Sequence, residues 1–523
     1  MTREAASRDA SGARLSSRRA MRERRGAGSG IKQLPWATVI RNPFPPMQPL
    51  SADQVEAIHE ASLDLLERIG IEAMGDRALD LYAQAGADVD RASGLVKMDR
   101  ALVMDLVGKA PSEFTLTPRN ADRSILVGGN SLNFGLVSGP PNVHDAINGR
   151  RAGNYADYEK LVKFAQFFNV IRFLGNQAVA PTDLPANSRH MDTTRANVVF
   201  TDKAFNHQVI GAGRAKDSCE IVARACGMTL EEMADRPACI GNINVNSPRK
   251  LDEHMATGAI QMAELGQATI VTPFTLMGAM TPVTLAAGLV QQNAEALFGI
   301  CLTQIVRPGA PVVYGGFTSN VDMKSGAPAF GTPENAKANL AGGQLARFYN
   351  LPYRTSGCNA SNAVDAQATY ETMMSLFSAI MGYGNFIYHA AGWLEGGLVA
   401  SFEKVMLDVE VLQHLVGFLT PIATTPEEIG LDAIAEVSPG GHFFGIGHTM
   451  ERYETAFYPP ILSDWTNSEN WRLAGAKDAT QRATDLWQRV LEEYEQPALD
   501  PTRLEAIDAF IAKRKEDIGT GEP

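Results

Sequence analysis

From about residue 131 onward, short apolar runs alternate with longer stretches whose apolar residues recur every three or four positions. The runs fall at 132–137, 171–175, 205–210, 238–243, 268–272, 311–315, 353–357 and 385–389. Each is short, and turn-forming residues separate the units, as expected of buried strands. Between them, 155–168, 188–200, 217–226, 252–265, 285–305, 334–349 and 366–381 read as helices. Strict alternation implies parallel strands joined by crossover helices. Eight such units over roughly 260 residues fit a closed barrel, so the expected class is α/β, a (β/α)8 TIM barrel with N-terminal and C-terminal helical extensions. An open doubly wound sheet competes, but its nucleotide fingerprint is incomplete. Gly211-Ala212-Gly213 follows a strand, yet Lys216 stands where the third glycine of G-x-G-x-x-G belongs.

The flanks are less regular. Residues 1–50 read as a disordered basic tail and a Pro-rich linker (Pro43, Pro45, Pro46, Pro49), and 51–130 as an α/β extension. Ser51 caps a helix whose apolar positions include Val55, Ile58, Leu65, Leu66 and Ile69, ending near Gly70. Further helices are expected near 76–85 and 99–107, with a strand at 114–117. The barrel spans 131–420, closing on a helix at 401–418. Residues 421–523 hold a glycine-rich loop around 439–447 and a helical tail near 476–515, with Trp487, Val490, Leu491 and Tyr494 facing the barrel. Residues 268–290 carry no charge and are long enough to cross a bilayer, but Pro273 and Pro282 interrupt them. They read instead as a buried strand, a loop and the start of a buried helix.

Composition narrows the function classes. Hydrophobic residues make up 45% and charged ones 20%, which is ordinary for a core-forming chain. The net charge is −12, so there is no electrostatic footprint for nucleic acid. The charge is uneven: residues 1–32 hold nine basic and three acidic residues, a net +6, which leaves −18 on the rest. Ser17-Arg18-Arg19 is followed by Gly26-Ala27-Gly28 rather than an apolar segment, which argues against a twin-arginine export signal. The Arg- and Ser-rich composition leaves a transit peptide as the alternative, and the chain is expected to be cytoplasmic and not membrane-bound. The five cysteines form no C-x-x-C pair, so neither a zinc ribbon nor a disulfide framework is expected.

In a barrel of this kind the chemistry sits at the carboxyl ends of the strands. Those ends carry Ser138, Asn176, Asn242, Asn244, Thr272, Asn359 and His389, a rim rich in amides and poor in acids and bases. That suits a reaction needing positioning more than proton transfer. His389, His442 and His448 match no zinc spacing, so no metal is expected. The aromatic residues Tyr314, Phe317, Tyr353, Tyr388, Trp393 and Phe443 fall at or beside the rim, where ring faces attract a quaternary ammonium. Glu334, Asp365, Glu371 and Glu395 are the acids near the rim.

Several blocks together resemble the trimethylamine methyltransferase family. They are Gly315-Gly316-Phe317-Thr318-Ser319-Asn320-Val321-Asp322-Met323-Lys324-Ser325-Gly326, Gly331-Thr332-Pro333-Glu334, and Gln344-Leu345-Ala346-Arg347-Phe348-Tyr349-Asn350-Leu351-Pro352. Others are Asp365-Ala366-Gln367, His389-Ala390-Ala391-Gly392-Trp393-Leu394, Ser401-Phe402-Glu403-Lys404 with Asp408, and Gly441-His442-Phe443 with His448-Thr449. The likeness runs from about residue 45 to the C-terminus.

The resemblance implies a barrel that passes a methyl group from an amine to the cob(I)alamin (cobalamin, a corrinoid) of a separate corrinoid-binding protein. The family's founding members act on trimethylamine and carry pyrrolysine. This chain has only standard residues and resembles the branch without pyrrolysine, some of whose members demethylate quaternary amines such as glycine betaine. A quaternary ammonium leaves as a neutral tertiary amine, so no general acid is needed. On this reading Tyr314, Phe317, Tyr388, Trp393 and Phe443 line the substrate site, and Asn359 receives a substrate carboxylate. Glu334 and Asp365 shape its electrostatics, and Gln367 and His389 supply hydrogen bonds; Glu334, Asp365 and His389 form the expected catalytic set. The alternatives are a tertiary amine such as trimethylamine or another methyl donor, or a non-catalytic betaine-binding or corrinoid-docking protein. The reading leaves room for a homo-oligomer.

Overall fold

A computed structural model describes residues 30–523; of the basic tail expected over residues 1–32, the first 29 lie outside the described part. Eight parallel strands close into a barrel in sequence order. They are β1 (Phe134–Leu136), β2 (Ile171–Leu174), β3 (Ala204–His207), β4 (Ile240–Ile243), β5 (Ala268–Val271), β6 (Val312–Gly315), β7 (Tyr353–Ser356) and β8 (Phe386–Ala391). Each is followed by a helix: α1 (Tyr155–Phe167), α2 (Arg189–Phe200), α3 (Ala212–Cys226), α4 (Glu253–Glu264), α5 (Leu285–Val306), α6 (Pro333–Phe348), α7 (Ala366–Met381) and α8 (Phe402–Phe418). All eight strands lie where the apolar runs predict them. Side-chain caps start most helices: Asn154, Asp252, Thr332, Asp365 and Ser401 each accept a first-turn N–H.

The barrel interior is filled by alternate residues of the strands. Phe173, Ala204, Ile240, Ala268, Ile270, Val313, Phe386 and Tyr388 form one cluster, sealed at the amino end by Leu116, Ile125, Val127 and Trp36. Gly135 belongs to this packing, because a Cβ there would lie 2.2 Å from the Phe173 ring. The intervening strand residues point outward into the helix layer.

α5 is long and apolar enough to cross a membrane, and most of it is buried inside this fold. It packs under the N-terminal extension, where Tyr82 stacks on Phe298 at 4.5 Å and donates to its carbonyl at 3.0 Å. The stretch expected as a plain loop before α5 contains a strand, Phe274–Met277. It pairs in parallel with Phe317–Val321, and both lie just beyond the carboxyl ends of β5 and β6. Residues 30–50 lie against the barrel: Ile40–Arg41 pairs with Ser131–Leu132, and the Asn42 side chain, fully buried, donates to the Ile380 carbonyl. The C-terminal tail is two helices, Ala479–Glu493 and Pro501–Ile518, parted around Pro497. Trp487 of the first donates its indole N–H to Glu403 at 2.9 Å, fastening it to α8.

Candidate functional site

At the carboxyl end of the barrel is a cavity of about 330 Å³. Its wall is made by Ser138 after β1, Asn176 after β2, Asn242 and Asn244 at β4, Thr272 after β5, and Arg354, Tyr388 and His389 from β7 and β8. Phe274, Phe317, Trp393 and the Gly396-Gly397-Leu398 turn complete it.

The accessory sheet explains the aromatic side. Phe274 and Phe317 are direct partners in the parallel register, which sets their rings 4.9 Å apart. Trp393 crosses Phe317 edge-on at 6.3 Å and lies 4.2 Å from the His389 ring. The hairpin after β8 holds Trp393 in place: Trp393–Leu394 pairs with Val399–Ser401. Gly397 has φ +109°, and a Cβ there would meet the indole at 2.6 Å, so the turn admits only glycine beside the ring. Asn359 grips the same tryptophan twice. Its side-chain amide donates to the Trp393 carbonyl at 2.6 Å, and its own carbonyl accepts the indole N–H at 3.0 Å. Behind this loop, buried Asp408 accepts the Gly392 N–H at 2.8 Å and is paired with Lys404. Burial pushes the Asp408 carboxyl up, and Lys404 opposes that shift.

The polar side is organised around Arg354. Parallel register pairs Arg354 with Gly315 and with Phe386, which places it among the inward residues. It is 3% exposed, and its guanidinium lies over the rings of Phe317 at 4.9 Å and Tyr388 at 4.7 Å. No carboxylate lines the cavity. The guanidinium reaches only the Gly316 carbonyl at 3.4 Å and the His389 ring at 3.5 Å, while its Nε has no partner. Desolvation lowers its pKa from the usual arginine value, as expected of an unpaired buried cation.

His389 has φ +55° and accepts the Ser138 N–H on Nδ1 at 3.3 Å. That assigns the proton of the neutral ring to Nε2, the nitrogen facing Arg354. Burial, and then the neighbouring guanidinium, depress the imidazole pKa well below its ordinary value, so the ring is neutral at physiological pH. Two donors therefore converge with no acceptor between them. The Tyr388 ring lines the same wall, and its buried hydroxyl lies beside Asn206 without a hydrogen bond of good geometry. The pair of donors suits an anionic oxygen acceptor.

Of the residues expected at the site, Phe317, Tyr388, His389 and Trp393 do line the cavity. The structure places the others elsewhere. Tyr314 alternates with inward Val313 and Gly315, so it points outward and donates to Asn293 at 3.0 Å. Asn359 lies behind Trp393 and serves to orient it. Gln367 donates to Glu371 at 2.8 Å, and Glu371 in turn accepts the Ala360 and Ser361 N–H groups. Glu334 is exposed in the first turn of α6. Asp365 caps α7 and accepts from Ser361 at 3.2 Å. Phe443, 45% exposed, lies with His442 and His448 in the segment after α8. Among the described residues one trio with metal-ligand spacing occurs, Glu56, His59 and Glu60, outside the barrel. Two of its members are otherwise engaged, His59 with Tyr349 and Glu60 with Arg100.

Arg354 and Phe274 were not anticipated at the site. Arg354 did leave a trace, as the one charged residue of the strand Tyr353–Ser356. Phe274 left none, because its strand is too short to show a period.

The family described as Trimethylamine methyltransferase (MTTB) matches residues 14–519. A glycine betaine methyltransferase of Desulfitobacterium hafniense (strain Y51) is 36% identical over 471 residues, covering 90% of this chain and 98% of the relative. A trimethylamine methyltransferase of another strain of that organism (DSM 10664 / DCB-2) is 29% identical, covering 89% of this chain and 94% of its own. The crystal structure of the Methanosarcina barkeri monomethylamine methyltransferase superposes with a TM-score of 0.47 at 9% identity, covering 85% of this chain and 93% of that one. The chain belongs to the trimethylamine methyltransferase family.

Proposed function

We propose that this protein moves a methyl group from a quaternary amine bearing a carboxylate, glycine betaine or a close analogue, to the cob(I)alamin of a separate corrinoid protein. The observation that carries the reading is Arg354, a buried guanidinium with no carboxylate partner, aimed with His389 at a cavity wide enough for a small molecule. A carboxylate placed there completes the hydrogen bonds of Arg354 and of His389 Nε2–H. Its quaternary end then faces Phe274, Phe317 and Trp393, whose ring faces balance the cation. A purely cationic amine gains nothing from Arg354 and is repelled by it. The 36% identity to a glycine betaine methyltransferase supports the same choice.

Cob(I)alamin, brought by the corrinoid protein, supplies the nucleophile. The N–CH3 bond breaks, the nitrogen keeps its electron pair, and a neutral tertiary amine departs. No proton has to move, which agrees with a neutral His389 and a cavity wall without acids. Positive charge disappears from nitrogen in the transition state, so rings that hold the cation moderately serve better than a carboxylate that would bind it tightly. The protein's work is to orient the methyl group toward the open mouth and to exclude water.

The test mixes the protein with reduced corrinoid protein and one candidate donor, and follows cobalt methylation by visible absorbance. Glycine betaine should methylate the cobalt. Activity with trimethylamine and none with glycine betaine would overturn the proposal.

A further inference from the structure

Two apolar surfaces on one flank of the barrel are left uncovered. The first is on α7. Its inner face packs on the barrel through Ala368, Leu376 and Ala379, as a barrel helix must. A second apolar stripe, Tyr370, Met373, Met374 and Phe377, recurs at i, i+3, i+4 and i+7 on the opposite side and is 61, 41, 45 and 37% exposed. A helix that is apolar all round is normally buried all round. Here the outer stripe, with Leu407 of α8 and Ala479, walls an open groove of about 1030 Å³.

The second surface is the excursion between α8 and the first C-terminal helix. Residues 421–457 leave the end of α8, and the chain returns at Tyr458, which donates to Glu410 in the middle of α8 at 3.0 Å. The three short helices of this arm, Pro426–Ile429, Leu431–Ala435 and Gly447–Arg452, contain no buried residue. Its hydrogen bonds stay within the arm, as from His448 to the Glu427 carbonyl. Yet Ile422, Leu431, Phe444 and Phe457 are 91, 69, 83 and 78% exposed, and five more large apolar side chains accompany them. Together the nine expose on the order of 1,000 Å² of side chain, more than the few hundred a monomer usually shows and close to the roughly 800 Å² per partner of a standard interface.

We propose that the apolar arm of one copy seats on the α7 groove of a second copy, and reciprocally, forming a two-fold dimer. Both surfaces belong to the α7–α8 flank, so one two-fold axis beside it covers both at once and closes the assembly. The barrel mouth stays free for the corrinoid protein. The competing occupant is a basic partner protein, since the arm carries six carboxylates against one arginine.

The full chain is measured by light scattering after size exclusion, at low and at high salt. The expected mass is twice the 56.4 kDa of the chain, persisting at high salt because apolar burial is not screened. Phe444→Asp on the arm and Met374→Asp in the groove should each weaken the dimer at least about 100-fold while leaving the melting curve of the monomer intact. Mixing the two variants should partly restore pairing, because one arm–groove contact is then whole. A monomeric wild-type chain overturns the proposal, as does a dimer that both substitutions leave unchanged or that dissociates at high salt.

Discussion

Two arginines lie deep in this barrel, one near each end, and neither has a carboxylate partner. At the amino end, Arg172 donates to the carbonyls of Ala37 at 2.5 Å and Thr38 at 3.0 Å, and stacks on Trp36 at 3.6 Å. Its neighbour Lys203 is treated likewise, with three backbone carbonyls at 2.7–2.9 Å. At the carboxyl end, Arg354 has equally little water, yet its one carbonyl partner is 3.4 Å away and its other polar neighbour, the His389 Nε2–H at 3.5 Å, is itself a donor. Burial lowers the pKa of both arginines, that of Arg172 to about 9. Both leave Nε without a partner, so the difference lies at the terminal nitrogens: two carbonyls hold those of Arg172, as befits a fixture of the fold, whereas those of Arg354 have one carbonyl at 3.4 Å. Buried polar groups are almost always paired, so an unpaired cation at a cavity mouth points to a ligand.

The strongest way to break this contrast is to exchange the two effects. Arg354→Met should cut methyl transfer from glycine betaine by at least about 100-fold while leaving the melting temperature unchanged or raised, because it removes a desolvated charge without a partner. Arg172→Met should do the reverse, costing about 2–4 kcal/mol in denaturant unfolding because the Ala37 and Thr38 carbonyls lose their donor. Activity of the surviving folded protein should be near normal. If Arg354→Met loses stability instead of rate, the contrast is wrong.

On the aromatic side, Trp393→Ala should lower kcat/KM by about 10- to 100-fold, a loss consistent with one cation–π contact and the packing around it. Asn359→Ala should show a part of that loss, since Asn359 acts only by holding the indole. Steady-state assays of both variants rank the two.

Histidines extend the comparison to pH. His207 is on β3, facing the helix layer, and burial pushes its pKa down to about 3. Below about 6.5 the unfolded chain takes up a proton that the folded chain refuses until about pH 3, so stability falls as pH drops through that window. The slope contributed is up to about 1.4 kcal/mol per pH unit, and His207→Phe should remove it from a pH series of unfolding curves. His389 is also held neutral, so the rate should show no histidine inflection near pH 6–7 while the protein stays folded. The smallest effect is expected for Glu334→Gln, which lies outside the cavity and should change kcat/KM by less than about twofold.

Most of the fold was readable in the amino-acid pattern because barrel strands are buried on both faces and mostly apolar, and the caps are strong. Ser51, Asp252 and Asp365 mark helix starts to within a residue. That same two-sided burial hid the site. A continuous apolar run does not reveal which parity faces inward, so Tyr314 looked as suitable as its neighbours, and Arg354 read as part of a strand. Parity is set by closure of the barrel, through the parallel pairing of Tyr314 with Tyr353 and of Gly315 with Arg354. Phe317, Tyr388, His389 and Trp393 drew notice because they fall at or after the ends of the expected runs 311–315 and 385–389, although β8 continues to Ala391. The Phe274 strand did not, since its partner is another short strand outside the barrel.

The central claim is that Arg354 selects a substrate carboxylate. At about 5 Å and an effective dielectric near 20, two unit charges interact by about 3 kcal/mol, enough for roughly a hundredfold discrimination. The direct measurement is the ratio of kcat/KM for glycine betaine to that for tetramethylammonium, which keeps the quaternary nitrogen and lacks the carboxylate, in wild type and in Arg354→Met. The ratio should be on the order of 100 in the wild type and collapse toward 1 in the variant. A ratio that Arg354→Met leaves unchanged would contradict the account.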